Sequence, residues 1–191
     1  VKSRRLGRSL GVNPLPVSHK LCSFNCVYSE CGWTEHSSGN DMALPERSQI
    51  REALERRLKK MSEEGNLPDA ITFAGNGEPT LHPQFAGIAR DTLAARDKYS
   101  PGSKVAILSN ATALHRKDVV EALALFDLNI LKLDCGTNEM FRRINNPRGK
   151  LDLDILTEQL VAFQGKTIIQ TLFLRGKHNG KEINNTKPDE F

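Results

Sequence analysis

The sequence predicts an α/β protein built on a parallel sheet with covering helices. Three observations carry that expectation. Four apolar, β-branched runs recur at regular intervals, amphipathic helical patterns separate them, and each run ends in a small group of polar or glycine residues.

A weaker strand is expected near Leu10 to Leu15, followed by a long loop. Pro45 to Glu64 reads as a helix: Ile50, Leu54, Leu58 and Met61 form one apolar stripe, and Arg, Lys and Glu take the opposite face. Ala70 to Ala74 reads as a buried strand and Pro83 to Lys98 as the helix after it. Lys104 to Leu108 and Arg116 to Leu125 repeat that order. Asn129 to Leu133 is the next strand, Asp152 to Gln164 the next helix and Thr167 to Leu174 the fifth strand, before a polar tail from Gly176 to Phe191. Parallel strands need long crossovers, which these helices supply. An open doubly wound sheet and a closed or partial β/α barrel share this alternation, so periodicity leaves both open.

Strand ends carry the polar residues. Gly75-Asn76-Gly77-Glu78-Pro79 follows the second strand, Ser109-Asn110 the third, Asp134-Cys135-Gly136 the fourth and Arg175-Gly176 the fifth. The C-terminal edge of parallel strands is where β/α proteins build their sites.

Composition narrows the function classes. The 191 residues are 26% charged and 38% hydrophobic, with a net charge of +4 and no apolar run of the ~18 residues a membrane span needs. A soluble, cytoplasmic protein without membrane partners is expected. Arg4, Arg5 and Arg8 make the N-terminus basic, but no nucleic-acid-binding motif stands beside them, and a solvated arm is the simpler reading.

Chemistry concentrates in Cys22-Ser-Phe-Asn-Cys26-Val-Tyr28-Ser29-Glu-Cys31, which holds three of the four cysteines. In a reducing compartment such a cluster points to metal or iron–sulfur binding rather than to disulfides. Zinc would want four closed ligands, and Cys22, Cys26, Cys31 and His36 have spacings that match no common finger. A [4Fe-4S] cluster held by three cysteines leaves one iron open to a substrate.

Cys22-x3-Cys26-x-Tyr28 followed by Gly75-Asn-Gly-Glu-Pro79 resembles the radical S-adenosylmethionine (SAM) superfamily. Ser3 to Gly11 and Phe73 to Pro83 resemble a bacterial and archaeal branch related to wyosine-type tRNA-modifying enzymes. The resemblance implies a partial (β/α) barrel and a [4Fe-4S] cluster on Cys22, Cys26 and, here, Cys31. It implies reductive cleavage of SAM to a 5′-deoxyadenosyl radical that abstracts hydrogen from a substrate. A one-electron reductant of flavodoxin or ferredoxin type is implied as partner, and RNA is a possible substrate. Gly75, Asn76, Gly77, Glu78 and Pro79 would approach the methionine end of SAM, Tyr28 the adenine, and Ser109, Asn110 and Asp134 the ribose and carboxylate. No catalytic residue beyond these is assigned.

Ser29 stands where the superfamily's Cys-x3-Cys-x2-Cys pattern has its third cysteine. Cys31 ligation in an altered loop, Ser29 ligation, and a labile or absent cluster remain open. A zinc-stabilised or catalytically disabled binding module is the non-enzyme alternative. The superfamily usually builds six β/α units, so residues 1–191 are expected to be a single core domain whose C-terminal part is missing. Cys135 is expected as a buried small side chain, His82 and His115 as structural hydrogen bonders, and Arg142 and Arg143 at a solvated helix end. Gln170 would meet substrate or SAM if it points into a barrel.

Overall fold

Short runs of β-branched and aliphatic residues form strands when both their faces are covered, and the central strands meet that condition. A computed structural model describes residues 2–3, 5–34 and 43–190. Arg4 and His36 therefore lie outside the described residues. The sheet contains β1 (Lys2–Ser3), β2 (Gly7–Val12), β3 (Ala70–Phe73), β4 (Lys104–Ser109), β5 (Leu128–Lys132) and β6 (Thr167–Gln170). Their spatial order is their chain order, and only β1 runs antiparallel.

That order resolves the ambiguity left by periodicity. A doubly wound sheet reverses its strand order partway, whereas five parallel strands in sequence with right-handed crossovers carry their helices on one face. The result is an open, partial (β/α) barrel. The helices are α1 (Arg47–Glu63), α2 (Phe85–Tyr99), α3 (Lys117–Ala124), α4 (Asn138–Ile144) and α5 (Leu153–Ala162). No helix is long and apolar enough to cross a membrane among the described residues.

β3 is buried at every position, and its Phe73 packs on Phe85 of α2 and on Phe126, with ring centroids 5.6 and 5.3 Å away. Arg47 at the start of α1 donates two bonds of 2.7 Å to Asp91 of α2, fixing those helices side by side. At the other edge, β6 pairs only with β5 among the described residues, and Ile168 and Ile169 are both substantially exposed.

Four details depart from the sequence reading. The fifth strand ends at Gln170 rather than at Leu174. The first strand starts and ends about three residues early, at Gly7–Val12 rather than Leu10 to Leu15. Helix α4 was signalled only by the placing of Arg142 and Arg143, which do lie in its last turn. The expected polar tail is a β-hairpin, β7 (Arg175–His178) and β8 (Lys181–Asn184). Asn179 and Gly180 form its two-residue turn with φ of 49° and 75°, the paired positive angles that suit tight hairpins.

Candidate functional site

The C-terminal ends of β3, β4, β5 and β6 meet the cysteine loop around one cavity of about 260 Å³. Cys22, Cys26, Tyr28, Ser29 and Cys31 line it from the loop, Gly75, Gly77 and Glu78 from the end of β3, and Ser109 and Asn110 from the end of β4. Gln170 reaches it from β6, as expected for an inward position. Phe24, an aromatic neighbour of the cysteines in the sequence, completes the wall with Lys20, Leu108 and Lys132, which sequence reasoning did not single out.

Local chemistry holds the loop in place. Asn25 and Val27 donate backbone bonds to Asn146 and Ile144 at the end of α4, at 3.0 and 2.9 Å. Phe24 packs edge-on against Phe141 of α4 with centroids 5.4 Å apart. Thr34 closes the loop's far side, with its hydroxyl accepting from Cys22 N at 3.1 Å and its N–H donating to Asn25 Oδ1 at 2.7 Å. Ser29 N bonds Cys26 O and Gly32 N bonds Ser29 O, so consecutive turns carry Cys31 outward, where it is exposed.

The glycine motif crosses the loop as backbone against backbone. Leu21 N donates to Asn76 O and Glu78 N donates to Leu21 O, both at 2.9 Å. Gly77 has φ of 138°, and a Cβ there would stand 1.8 Å from Leu21 O, so only glycine permits the approach. Asn76 faces away from the cavity, its side chain donating to the carbonyls of Pro16 and Val17 at 3.2 Å. Pro79 opens a short 3-10 turn, Pro79–Leu81.

Glu78 is 2% exposed. Its Oε1 accepts from Thr80 N, Thr80 Oγ1 and Ser109 Oγ at 3.1, 2.6 and 2.8 Å, and its Oε2 accepts from Asn110 N at 2.6 Å. Burial pushes its carboxyl above the usual range, while these bonds pull the other way. A carboxylate has about four acceptor sites, two on each oxygen, so Oε2 keeps a lone pair for a further donor. Asn110 extends the connection, donating to Ser23 Oγ at 2.8 Å and standing 3.6 Å from Cys22 Sγ.

Asp134 is not brought to the cavity wall. Its carboxylate accepts from Tyr28 Oη at 2.5 Å, Asn145 Nδ2 at 2.7 Å and Leu172 N at 2.9 Å, and pairs with Lys132 at 3.3 Å. It therefore fixes Tyr28, whose phenol is held protonated by burial and by its neighbours Cys26 and Asp134. His82 and His115 are structural, as expected: His82 bonds Pro45 O and Gln84 N, each at 3.0 Å, and His115 bonds Thr112 O at 2.9 Å. Cys135 is buried, as its sequence position suggested.

All four thiols are free. Burial pushes Cys22 up to about 11. No three Cys, His, Asp or Glu side chains are already gathered into a metal-holding arrangement among the described residues. The cavity's charge nevertheless suits an anionic group. Lys20 is 7% exposed, and its ammonium donates to Ser29 Oγ and Gly32 O, each at 2.9 Å. Among the described residues no carboxylate pairs with it, and a buried ammonium with only neutral acceptors lacks a counter-charge. Iron bound to thiolates in the same cavity would provide one. The residues present therefore fit an iron–sulfur cluster in donor type, number and charge.

The open barrel, with its site at the strand ends, resembles solved structures of TYW1 in fold. Two TYW1 structures, one of archaeal TYW1 and one with a lysine-pyruvate adduct bound, match it with TM-score 0.53 at 18% identity, covering 88% of this chain and 56% of theirs. In sequence, the chain is 34% identical over 178 residues to the UPF0026 protein MJ1312 of Methanocaldococcus jannaschii, covering 91% of the chain and 52% of that relative. It is 33% identical over 180 residues to the UPF0026 protein slr1464 of Synechocystis sp., covering 92% of the chain and 63% of that relative. It thus spans between half and two thirds of the length of these relatives. No family model matches the chain.

Proposed function

We propose that the chain is the SAM-cleaving core of a radical SAM enzyme, with a [4Fe-4S] cluster on Cys22, Cys26 and Cys31. The uncompensated Lys20 ammonium in a cavity lined by three thiols is the observation that supports this most directly. When bound, the cluster would supply one electron to the sulfonium of SAM, whose cleavage yields a radical able to abstract hydrogen.

The chain's own residues prepare that chemistry. Lys20 engages Ser29 Oγ, which favours Cys31 as the third thiolate, because a neutral hydroxyl is a poor ligand for iron–sulfur chemistry. Cys22 must lose its proton to ligate, so cluster loading releases protons and is favoured as pH rises. Gly75 and Gly77 bring backbone close to the cavity, and the remaining lone pair on Glu78 Oε2 is suited to the ammonium of SAM. Tyr28, held by Asp134, forms an apolar wall.

The test is anaerobic reconstitution with iron and sulfide, followed by dithionite and SAM, with Ser29→Cys and Cys31→Ala in parallel. The expected result is a brown protein absorbing near ~400 nm, as thiolate-ligated clusters do, releasing 5′-deoxyadenosine, and losing iron in Cys31→Ala. Stoichiometric zinc and no such absorption, in both the parent chain and Ser29→Cys, would overturn the reading.

A further inference from the structure

A second pocket, of about 230 Å³, lies on the other side of the cysteine loop, between it, α4 and the β7–β8 hairpin. Val27 and Ile183 give it an apolar lining, while Trp33, Arg142, His178 and Lys181 supply aromatic and cationic groups. Trp33 is 49% exposed, and its ring lies 6.2 Å from that of His178 at a tilt of 40°, so the two are not stacked and the indole face is not covered by a parallel ring.

Two observations show that this wall lacks partners among the described residues. Among the described residues His178 Nε2 is buried with nothing to bond, and leaving a buried ring nitrogen unsatisfied is costly. Among the described residues, Arg142 and Lys181 have no ion-pair or side-chain hydrogen-bond partner, unlike the neighbouring Arg143, which pairs with Glu139 and donates to Glu182 O at 3.0 Å. An open indole, a nitrogen awaiting a polar edge and two free cations describe one kind of ligand: a planar heterocycle bearing phosphate.

We propose that this pocket binds a nucleotide, its base against Trp33 and His178 and its phosphate on Arg142 and Lys181. Aromatic stacking tolerates any base, and the cations hold the backbone charge, the combination used for unpaired nucleotides. A free mononucleotide and an unpaired nucleotide of an RNA strand share this chemistry.

The test exploits composition: Trp33 is the chain's only tryptophan, so fluorescence excited at its absorption reports on this pocket alone. The purified 191-residue chain is titrated with AMP, with a single-stranded oligo(rA) hexamer and with inorganic phosphate. Saturable quenching is expected with AMP or the hexamer, weakened at least tenfold in an Arg142→Ala/Lys181→Ala double variant whose circular dichroism is unchanged. Trp33→Ala, followed by anisotropy of a labelled hexamer, is expected to weaken binding by about tenfold or more, with partial rescue by Trp33→Phe. Equal affinity for AMP and hexamer assigns a mononucleotide site, whereas tighter, more salt-sensitive hexamer binding assigns an RNA strand. The proposal is overturned if neither probe quenches, if the double variant binds normally, or if phosphate alone competes as well as AMP. No iron is needed, so failure here leaves the proposed cluster chemistry untouched.

Discussion

Gly77→Ala puts the crossing of the glycine motif and the cysteine loop under direct test. The added Cβ would stand 1.8 Å from Leu21 O, and ordinary contact begins near 3.4 Å, so the two backbones must separate by about 1.6 Å. Such a shift removes both 2.9 Å bonds between them, Leu21 N to Asn76 O and Glu78 N to Leu21 O. Each bond contributes about 0.5 to 1.5 kcal/mol, and forcing a side chain onto φ of 138° costs roughly 1 to 3 kcal/mol more. The total is about 2 to 6 kcal/mol, read by urea denaturation, or a fall in Tm of about 4 °C or more for a chain of this size. Gly102→Ala is the control, since a Cβ there meets nothing within 4 Å. Because Leu21 lies between Lys20 and Cys22, iron uptake on reconstitution should also drop in Gly77→Ala and not in Gly102→Ala. Equal stability of the two variants to within about 0.5 kcal/mol, with equal iron content, would refute the account of this crossing.

Four further outcomes are expected. At pH 8, mass spectrometry after alkylation should find Cys31 labelled first and Cys22 and Cys135 last, because burial pushes those two up to about 11 and about 12; comparable labelling of Cys22 and Cys31 would contradict this. The stability linked to Cys22 follows the same sign: with its folded value raised from 9.0, it is complete below about pH 9 and declines as pH climbs toward about 11, which urea titrations across that window check. Phe73→Ala removes a fully buried ring that contacts Phe85 and Phe126 and should cost about 3 to 5 kcal/mol in urea denaturation. Ile169→Lys, on exposed β6, should change stability by less than about 0.5 kcal/mol, and a loss several times larger would mean its outer face is covered.

The sequence made the parallel sheet legible because β3, β4 and β5 are largely covered on both faces and so carry mostly apolar runs. The strand-end motifs were legible for the same reason, since each polar group interrupts such a run. The hairpin was not, because Arg175–His178 and Lys181–Asn184 are mostly exposed and carry no apolar alternation; its one signal was Asn179-Gly180. Lys20 was missed because a lysine beside a loop ordinarily points to solvent, and nothing local shows that Ser29 and Gly32 turn back over it. Asp134 was legible as a strand-end carboxylate, but only the fold shows that Tyr28, Asn145 and Leu172 occupy it.

The four bonds that converge on the Glu78 carboxylate have a consequence for how this site can change over time. One side chain fastens the turn after β3 to the end of β4, and through Asn110 the fastening extends to Ser23 and Cys22. The half of the cavity that carries thiols and the half that carries glycines therefore share a keystone. A mutation there cannot retune one half alone, so variation that alters ligand preference must fall on the rim, at positions such as Lys132 or Gln170, while the keystone stays fixed.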